Sequence, residues 1–267
     1  MVDGDRLADV IRGCDGSSIA VSGGVDSMTL ASFAQQVLGA ARIRMVHALS
    51  PAVPAEATER VRAQAAAESW RLDVVDAGEF ADERYRANPV NRCYFCKSNL
   101  YMALGRLSDG VVLSGTNTDD LSDYRPGLQA ATENNVRHPY VEAGLAKSQV
   151  RALARRLGLP ELAELPASPC LSSRVETGIR IEPETLRRID AVESWLRKTV
   201  NPDTVRCRVR RSGVVIELDA ATLDGLGAAG RQALIADAGR RVGDRDVKLA
   251  PYAQGSAFVG GQRTQIA

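Results

Sequence analysis

The stretch IAVSGGVDSMTL, residues 19–30, decides how the rest of the chain is read. A β-prone run, SSIAVSG (17–23), ends in glycine; DSMTLASFAQQVLG (26–39) then spaces its apolar residues as a helix does and stops at a glycine. Between them SGGVDS, residues 22–27, carries a strand into a helix through Gly23 and Gly24, which let backbone approach a ligand. Backbone N–H groups at a helix start suit an anion, and the hydroxyls of Ser22 and Ser27 add donors. Asp26 cannot bind a phosphate directly, but it can cap the helix or hold a Mg²⁺. No Gly-Lys-Ser/Thr follows and no GxGxxG is present, which excludes the two commonest nucleotide loops; the bland alternative is a plain Gly-rich turn.

Outward from this loop the chain alternates. RIRMVHALS (42–50), RLDVVDA (71–77) and GVVLSGTN (110–117) read as strands. PAEATERVRAQAAAESW (54–70), CKSNLYMALGRL (96–107) and AKSQVRALARRLGLP (146–160) read as helices. The alternation predicts an α/β fold, a Rossmann-like doubly wound parallel sheet that binds ligands at the carboxyl ends of its strands. Both SGGVDS and SGTNTDD fall at such ends. From about residue 165 the texture changes. LPASPCLSSRVETGIRIEP (165–183) reads as a polar, accessible loop, followed by a helix (183–200), a hairpin turning near Ser212-Gly213 (204–219), one helix (about 221–241) and a strand (about 246–250). This predicts a small α+β domain at 168–267 after a nucleotide-binding domain at 1–167.

Composition narrows the partners. The 267 residues are 45% apolar and 25% charged with a net charge of +1, so no global charge argues for nucleic acid or a membrane surface. No apolar run reaches the length of a membrane span, and the acidic, amphipathic N-terminus does not read as a signal peptide. Five cysteines, an odd number, argue against a disulfide framework and for the reducing cytoplasm.

Further clusters carry chemistry. SGTNTDDLSDYRPG (114–127) follows a strand end at Gly115 with Asn117, three aspartates and Arg125, a set suited to Mg²⁺ and phosphate or to a solvated acidic turn. RCYFCK (92–97) places Cys93 and Cys96 three apart, and PCLSSR (169–174) adds Cys170 beside Ser173 and Arg174. Three thiols suit an iron–sulfur cluster with one open iron, or a dithiol with a nucleophile; two alone are half a zinc site. Cys14, Cys207 and His138 read as structural. Arg206, Arg208 and Arg210 share one strand face, suited to an anionic substrate or to a solvated edge.

SGGVDS resembles the PP-loop of ATP pyrophosphatases. Taken with RCYFCK, SGTNTDDLSDYRPG, AKSQVRALARRLGLP, PCLSSR and VRCRV…VIELD, in that order over most of the chain, it resembles the LarE family of ATP-dependent sulfur transferases. The resemblance implies a cytoplasmic homo-oligomer that adenylates a carboxylate of pyridinium-3,5-biscarboxylic acid mononucleotide and converts it to a thiocarboxylate, for the nickel-pincer nucleotide of lactate racemase. It implies ATP and Mg²⁺ as cofactors, with Ser22, Gly23, Gly24, Asp26, Ser27, Gly115, Asn117 and Arg125 at the ATP. Cysteines at all three family positions, Cys93, Cys96 and Cys170, imply the version with a 4Fe-4S cluster, fed by sulfide or another sulfur donor. The other version sacrifices the sulfur of one cysteine, here Cys170. Ser173, Arg174, Arg206 and Arg208 match substrate-binding positions, and Glu193 and Asp224 match acidic residues near the substrate phosphate or a divalent metal. VETGIRI (175–181) departs from relatives that carry proline and an aromatic residue before the glycine. Three rivals remain: a PP-loop tRNA thiolase, which the near-neutral charge disfavours; a non-enzymatic, nucleotide-gated zinc-binding protein, which the Asp-rich loop beside the PP-loop disfavours; and, weaker still, an NAD- or GMP-synthetase-like amidating enzyme, whose chemistry has no need of the Cys93/Cys96 pair.

Overall fold

The structure is a computed structural model that describes residues 2–108, 110–121, 126–243 and 246–257. In chain order it runs α1 (Val2–Arg12), β1 (Ser18–Ala20), α2 (Val25–Leu38), β2 (Arg44–Ala48), α3 (Ala55–Glu68), β3 (Leu72–Val75), α4 (Glu83–Arg86), α5 (Arg92–Gly105) and β4 (Val112–Leu113). Then follow α6 (Pro126–Glu133), α7 (Pro139–Ala143), α8 (Lys147–Arg156), α9 (Pro160–Ala163), α10 (Pro183–Val200), β5 (Val205–Arg210), β6 (Gly213–Leu218), α11 (Ala220–Gly225), α12 (Ala228–Arg241) and β7 (Val247–Pro251). Short 3₁₀ turns occupy Glu79–Ala81, Thr118–Leu121 and Leu171–Arg174. No helix among the described residues is long and apolar enough to cross a membrane.

The chain packs as two units, Met1–Asp82 with Asn91–Ser168, and Glu83–Val90 with Pro169–Ala267. The sequence expectation of one boundary at 167/168 did not foresee the insert Glu83–Val90, whose local pattern resembles any short polar linker. In the second unit Asn88 holds it down: its side-chain amide donates to the carbonyls of Glu176 and Ile179, both at 2.9 Å, and its own carbonyl accepts from Gly178 N–H.

The first unit is the α/β layer that the sequence predicts. Its strands lie in the order β3-β2-β1-β4, all parallel, with Ile19 beside Met45 and Leu113 in register. Helices cover both faces, so the central strands carry apolar residues on both sides. Ile19, Met45 and Leu113 pack with Met28, Leu30, Ala31 and Ala34 of α2 in one buried cluster. Val46 and Val112 face a smaller cluster with Tyr101 and Leu104 of α5 and Ala130 and Ala131 of α6. Burying the larger of these side chains contributes about 1.5–3 kcal/mol each.

The second unit holds a mixed sheet, β5-β6-β7, with an antiparallel hairpin and a parallel third strand. Leu186, Ile189, Val192 and Leu196 line the buried face of α10 at helical spacing. The single helix expected at 221–241 is two, α11 and α12, because Leu226 takes an extended conformation and Gly227 caps the next helix start. The helix read in 146–160 stops at its glycine and proline as expected: α8 ends at Arg156, Gly158 turns left-handed and Pro160 opens α9.

Candidate functional site

The SGGVDS loop joins β1 to the first turn of α2. Ser22 N–H donates to Ser27 Oγ at 3.0 Å, the two hydroxyls stand 3.1 Å apart, and the Ser27 hydroxyl lies 3.3 Å from Gly24 O. The two serines therefore close the loop on itself and leave the amides at the start of α2 to be used by a ligand. Gly23 has φ +81°, and a Cβ there would stand 2.5 Å from Ala57 O on α3. Gly115 closes the other side: a Cβ would stand 2.8 Å from Ser27 N, so only glycine lets the end of β4 lie against the first turn of α2. Arg60 Nη1 donates to Gly23 O at 2.7 Å.

Asp26 is held from three directions. Lys147 Nζ lies 2.5 Å from its carboxylate, Asn117 Nδ2 lies 3.4 Å away, and the Tyr140 hydroxyl donates to its backbone carbonyl at 3.1 Å. Burial pushes the Tyr140 phenol well above its ordinary pKa, and the charge of Asp26 adds to this, so the hydroxyl stays protonated. Asn117 is buried and organises the acidic turn: its Oδ1 accepts from Asp119 N–H at 3.1 Å, and Asp120 accepts from its own N–H at 3.2 Å. Asp119 also accepts from Lys147 N–H at 3.1 Å, which ties the turn to α8. Arg125 lies outside the described residues. His138, half-buried, has Nδ1 2.7 Å from Ser114 Oγ beside this turn, and burial lowers its pKa.

Cys93 and Cys96 lie on α5, which begins at Arg92 rather than near residue 96. The earlier start brings both thiols onto one helical face, a turn apart, with Cys93 exposed and Cys96 half-buried. Cys14 and Cys207 are buried; burial pushes both thiols up in pKa, which keeps them protonated and inert.

In the second unit Cys170 is exposed and opens the 3₁₀ turn Leu171–Arg174. The turn is not the accessible loop expected from its serines and prolines. Leu171, Ser172, Ser173 and Arg174 are all buried, because the polar side chains find partners inside. Ser172 Oγ lies 2.6 Å from the Tyr85 hydroxyl. Arg174 forms a bidentate pair with Glu193 of α10, both bonds 2.9 Å, with side chains 1% and 0% exposed. The same guanidinium donates to the carbonyls of Pro169 (2.6 Å) and Cys170 (3.3 Å) and to Ser173 Oγ (3.0 Å), so it pins the cysteine turn from beneath. Burial acts to lower the Arg174 pKa, but the hydrogen bonds and charge of Glu193 outweigh it and the pKa rises.

Arg206, Arg208 and Arg210 share a strand face as expected, but that face is not a solvated edge. Arg208 is buried, pairs with Glu217 at 3.0 Å and donates to Ser173 O at 3.0 Å. Arg210 reaches the other oxygen of Glu217 at 2.8 Å. Arg206 lies over the Tyr252 ring, 5.7 Å from its centroid; burial first, then the charge of Arg174, lowers its pKa. Arg197 also reaches Glu193, so five arginines face two carboxylates and the cluster is positive.

Two expected metal ligands meet a different environment. Glu193 is fully buried and spends its oxygens on Arg174, Arg197 and the Cys207 N–H, which leaves no open carboxylate face. Asp224 is exposed on α11. Among the described residues no three His, Cys, Asp or Glu side chains converge as a metal-binding group. Sequence reasoning did not single out Lys147, Tyr140, Arg60 or Tyr85; each acts on a residue far away in the chain, and although Lys147 stands in the quoted stretch AKSQVRALARRLGLP, nothing local marks its role.

No family model matches the chain. It is 42% identical over 208 residues, covering 76% of each chain, to the uncharacterized protein slr1717 of Synechocystis sp.. It is 30% identical over 210 residues, covering 77% of this chain and 75% of the relative, to the pyridinium-3,5-bisthiocarboxylic acid mononucleotide synthase of Lactiplantibacillus plantarum. An NH(3)-dependent NAD(+) synthetase of Methanosarcina acetivorans is 28% identical over 177 residues, covering 59% of this chain and 67% of the relative.

Proposed function

The chain belongs to the LarE family, that of the pyridinium-3,5-bisthiocarboxylic acid mononucleotide synthase, and from that premise we propose that it is an ATP-dependent sulfur transferase acting on pyridinium-3,5-biscarboxylic acid mononucleotide. One observation carries the reading: a phosphate cradle closed by Ser22 and Ser27 occurs in the same chain as three thiols that reach solvent.

In the proposed reaction a substrate carboxylate oxygen attacks the α-phosphorus of ATP, and pyrophosphate leaves. A carboxylate is a poor acyl electrophile; as the acyl adenylate it carries AMP as a good leaving group. The amides of the 22–27 loop and Lys147 offset charge on the departing pyrophosphate. Asp26 and the Asn117 turn would hold Mg²⁺, which would neutralise phosphate charge. A sulfur nucleophile then attacks the acyl carbon, AMP leaves and a thiocarboxylate results. Arg206 binds the anionic substrate, with Ser173 beside it. Arg174 and Arg208, already paired to Glu193 and Glu217, hold that surface in shape. Asp224, exposed on α11, would hold a divalent metal near the substrate phosphate; Glu193 acts as a positioning residue.

Cys93, Cys96 and Cys170 fit a 4Fe-4S cluster in donor chemistry, since three thiolates at least partly open to solvent are the ligands it takes with one iron left over. Such a cluster would supply a sulfide for transfer. The exposure of Cys170 supports a second reading, in which its own thiol attacks the acyl adenylate. Loss of its Cα proton and cleavage of its Cβ–S bond then leave dehydroalanine and release the thiocarboxylate.

The test is anaerobic incubation of the reconstituted protein with ATP, Mg²⁺ and the pyridinium dicarboxylate nucleotide, read by mass spectrometry of protein and product. Thiolated product from intact protein supports cluster transfer; loss of one sulfur at Cys170 supports sacrifice. ATP consumed with no sulfur in the product sinks both, and co-purifying tRNA that becomes thiolated would favour the tRNA enzyme instead.

A further inference from the structure

His47 takes no part in the chemistry above. It lies in β2, fully buried, and its ring joins two elements. Nδ1 stands 2.9 Å from Val21 O, and Nε2 stands 2.9 Å from Thr58 Oγ1 on α3. A carbonyl can only accept, so Nδ1 carries the proton, and Nε2 of the neutral ring accepts from the threonine hydroxyl. Burial lowers the pKa of the ring and the charge of Arg62 adds to this, against the pull of the Val21 carbonyl.

Val21 immediately precedes Ser22. Its N–H already donates to Val46 O at 2.9 Å, so with His47 on its carbonyl both of its backbone polar groups are fixed. Two further contacts join α3 to the same loop. Arg60 donates to Gly23 O, and Gly23 packs so close to the Ala57 carbonyl that no Cβ fits. The first two turns of α3 are therefore the back wall of the cradle, and His47 ties that wall to the strand entering it.

We propose that His47 is a positioning residue for the phosphate cradle, holding Val21 and α3 so that the loop amides are aimed before the nucleotide arrives. This rests on the nucleotide reading of SGGVDS. Preorganisation matters here because amides that must first be ordered lose part of their binding energy to that ordering. A histidine that only stabilises the fold would leave affinity for ATP unchanged in any variant that folds.

The test is calorimetric titration of the full chain with Mg-ATP, well below the unfolding midpoint. In His47→Leu, Val21 O loses its donor and Thr58 its acceptor, and the Kd for ATP should rise by about tenfold or more. His47→Asn puts a side-chain N–H about where Nδ1 stood and should recover affinity to within about threefold of wild type. His47→Leu binding ATP as wild type does, or His47→Asn binding no better than His47→Leu, overturns the proposal. Should His47→Leu not fold, Thr58→Val decides: a loss of about twofold to fivefold with unchanged circular dichroism supports the tie, and unchanged affinity overturns it. Wild-type protein that does not bind Mg-ATP would overturn the nucleotide reading itself, a failure separate from that of the histidine.

Discussion

Replacing Glu193 by leucine should leave the second unit barely stable. Glu193 and Arg174 are 0% and 1% exposed and share two hydrogen bonds of 2.9 Å. Removing one partner of such a pair strands the other charge in a low-dielectric interior, which costs about 3–5 kcal/mol. Typical domains hold about 5–15 kcal/mol in total, so the loss takes a large share. The same change removes the acceptor of the Cys207 N–H, which adds to the cost. Urea unfolding followed by circular dichroism measures it. The double variant Arg174→Met/Glu193→Leu should recover most of the stability, because an apolar pair of similar volume need not desolvate charge. It should not recover sulfur transfer, since Arg174 also holds the carbonyls of Pro169 and Cys170. Glu193→Leu within about 1 kcal/mol of wild type would refute the reasoning. So would a second unit whose stability falls on chelating divalent metal in wild type and in Asp224→Asn but not in Glu193→Gln, because Glu193 would then be a metal ligand and not the partner of Arg174.

Gly115→Ala should weaken ATP binding by about tenfold, since its Cβ would stand 2.8 Å from Ser27 N and must push the end of β4 off α2; titration with Mg-ATP reads it. Brief alkylation of the apo protein with iodoacetamide should label Cys93 and Cys170 and spare Cys14 and Cys207, whose thiols are buried and raised in pKa; peptide mass spectrometry counts the sites, and labelled Cys207 in folded protein would contradict the burial. Burial lowers the pKa of both His47 and His138 from the ordinary 6.5, so the unfolded chain binds more protons than the folded one between the two values. Their contribution to stability is therefore full above about pH 6.5 and is lost as pH falls from there through the lowered native values. A His47→Asn/His138→Asn protein should lose this slope in thermal melts at successive pH values, and a slope unchanged from wild type would refute it.

Local conformation was legible where a residue type answers to its own backbone. The β1 strand, the glycine entry to α2 and the hairpin around Ser212-Gly213 follow from periodicity and turn chemistry, which need no knowledge of distant chain. The early start of α5 was missed although Asn91 stands at its N-cap, for that side chain makes no capping hydrogen bond there, and the α11–α12 break was missed because the apolar spacing continues across it. The insert Glu83–Val90 was missed for a stronger reason: what fixes it is Asn88 bonding to carbonyls near residue 176, and an asparagine in a polar stretch does not announce its acceptors.

The same limit applies to charge. Alternation shows that Arg206, Arg208 and Arg210 share a face, but whether that face meets water or carboxylates is decided by Glu217 on the next strand, which takes both Arg208 and Arg210. Asp26 and Lys147 are 121 residues apart, and neither predicts the other. Buried arginines must be paired to be tolerated, so each cation that helps form the positive surface brings a carboxylate partner behind it. An Arg208→Lys change shows the consequence. Lysine keeps the charge but cannot reach Glu217 and the Ser173 carbonyl together as the planar fork does, so anion binding should fall although the formal charge is unchanged. Substrate affinity equal to wild type in that variant would mean that charge alone, and not the paired geometry, makes the surface.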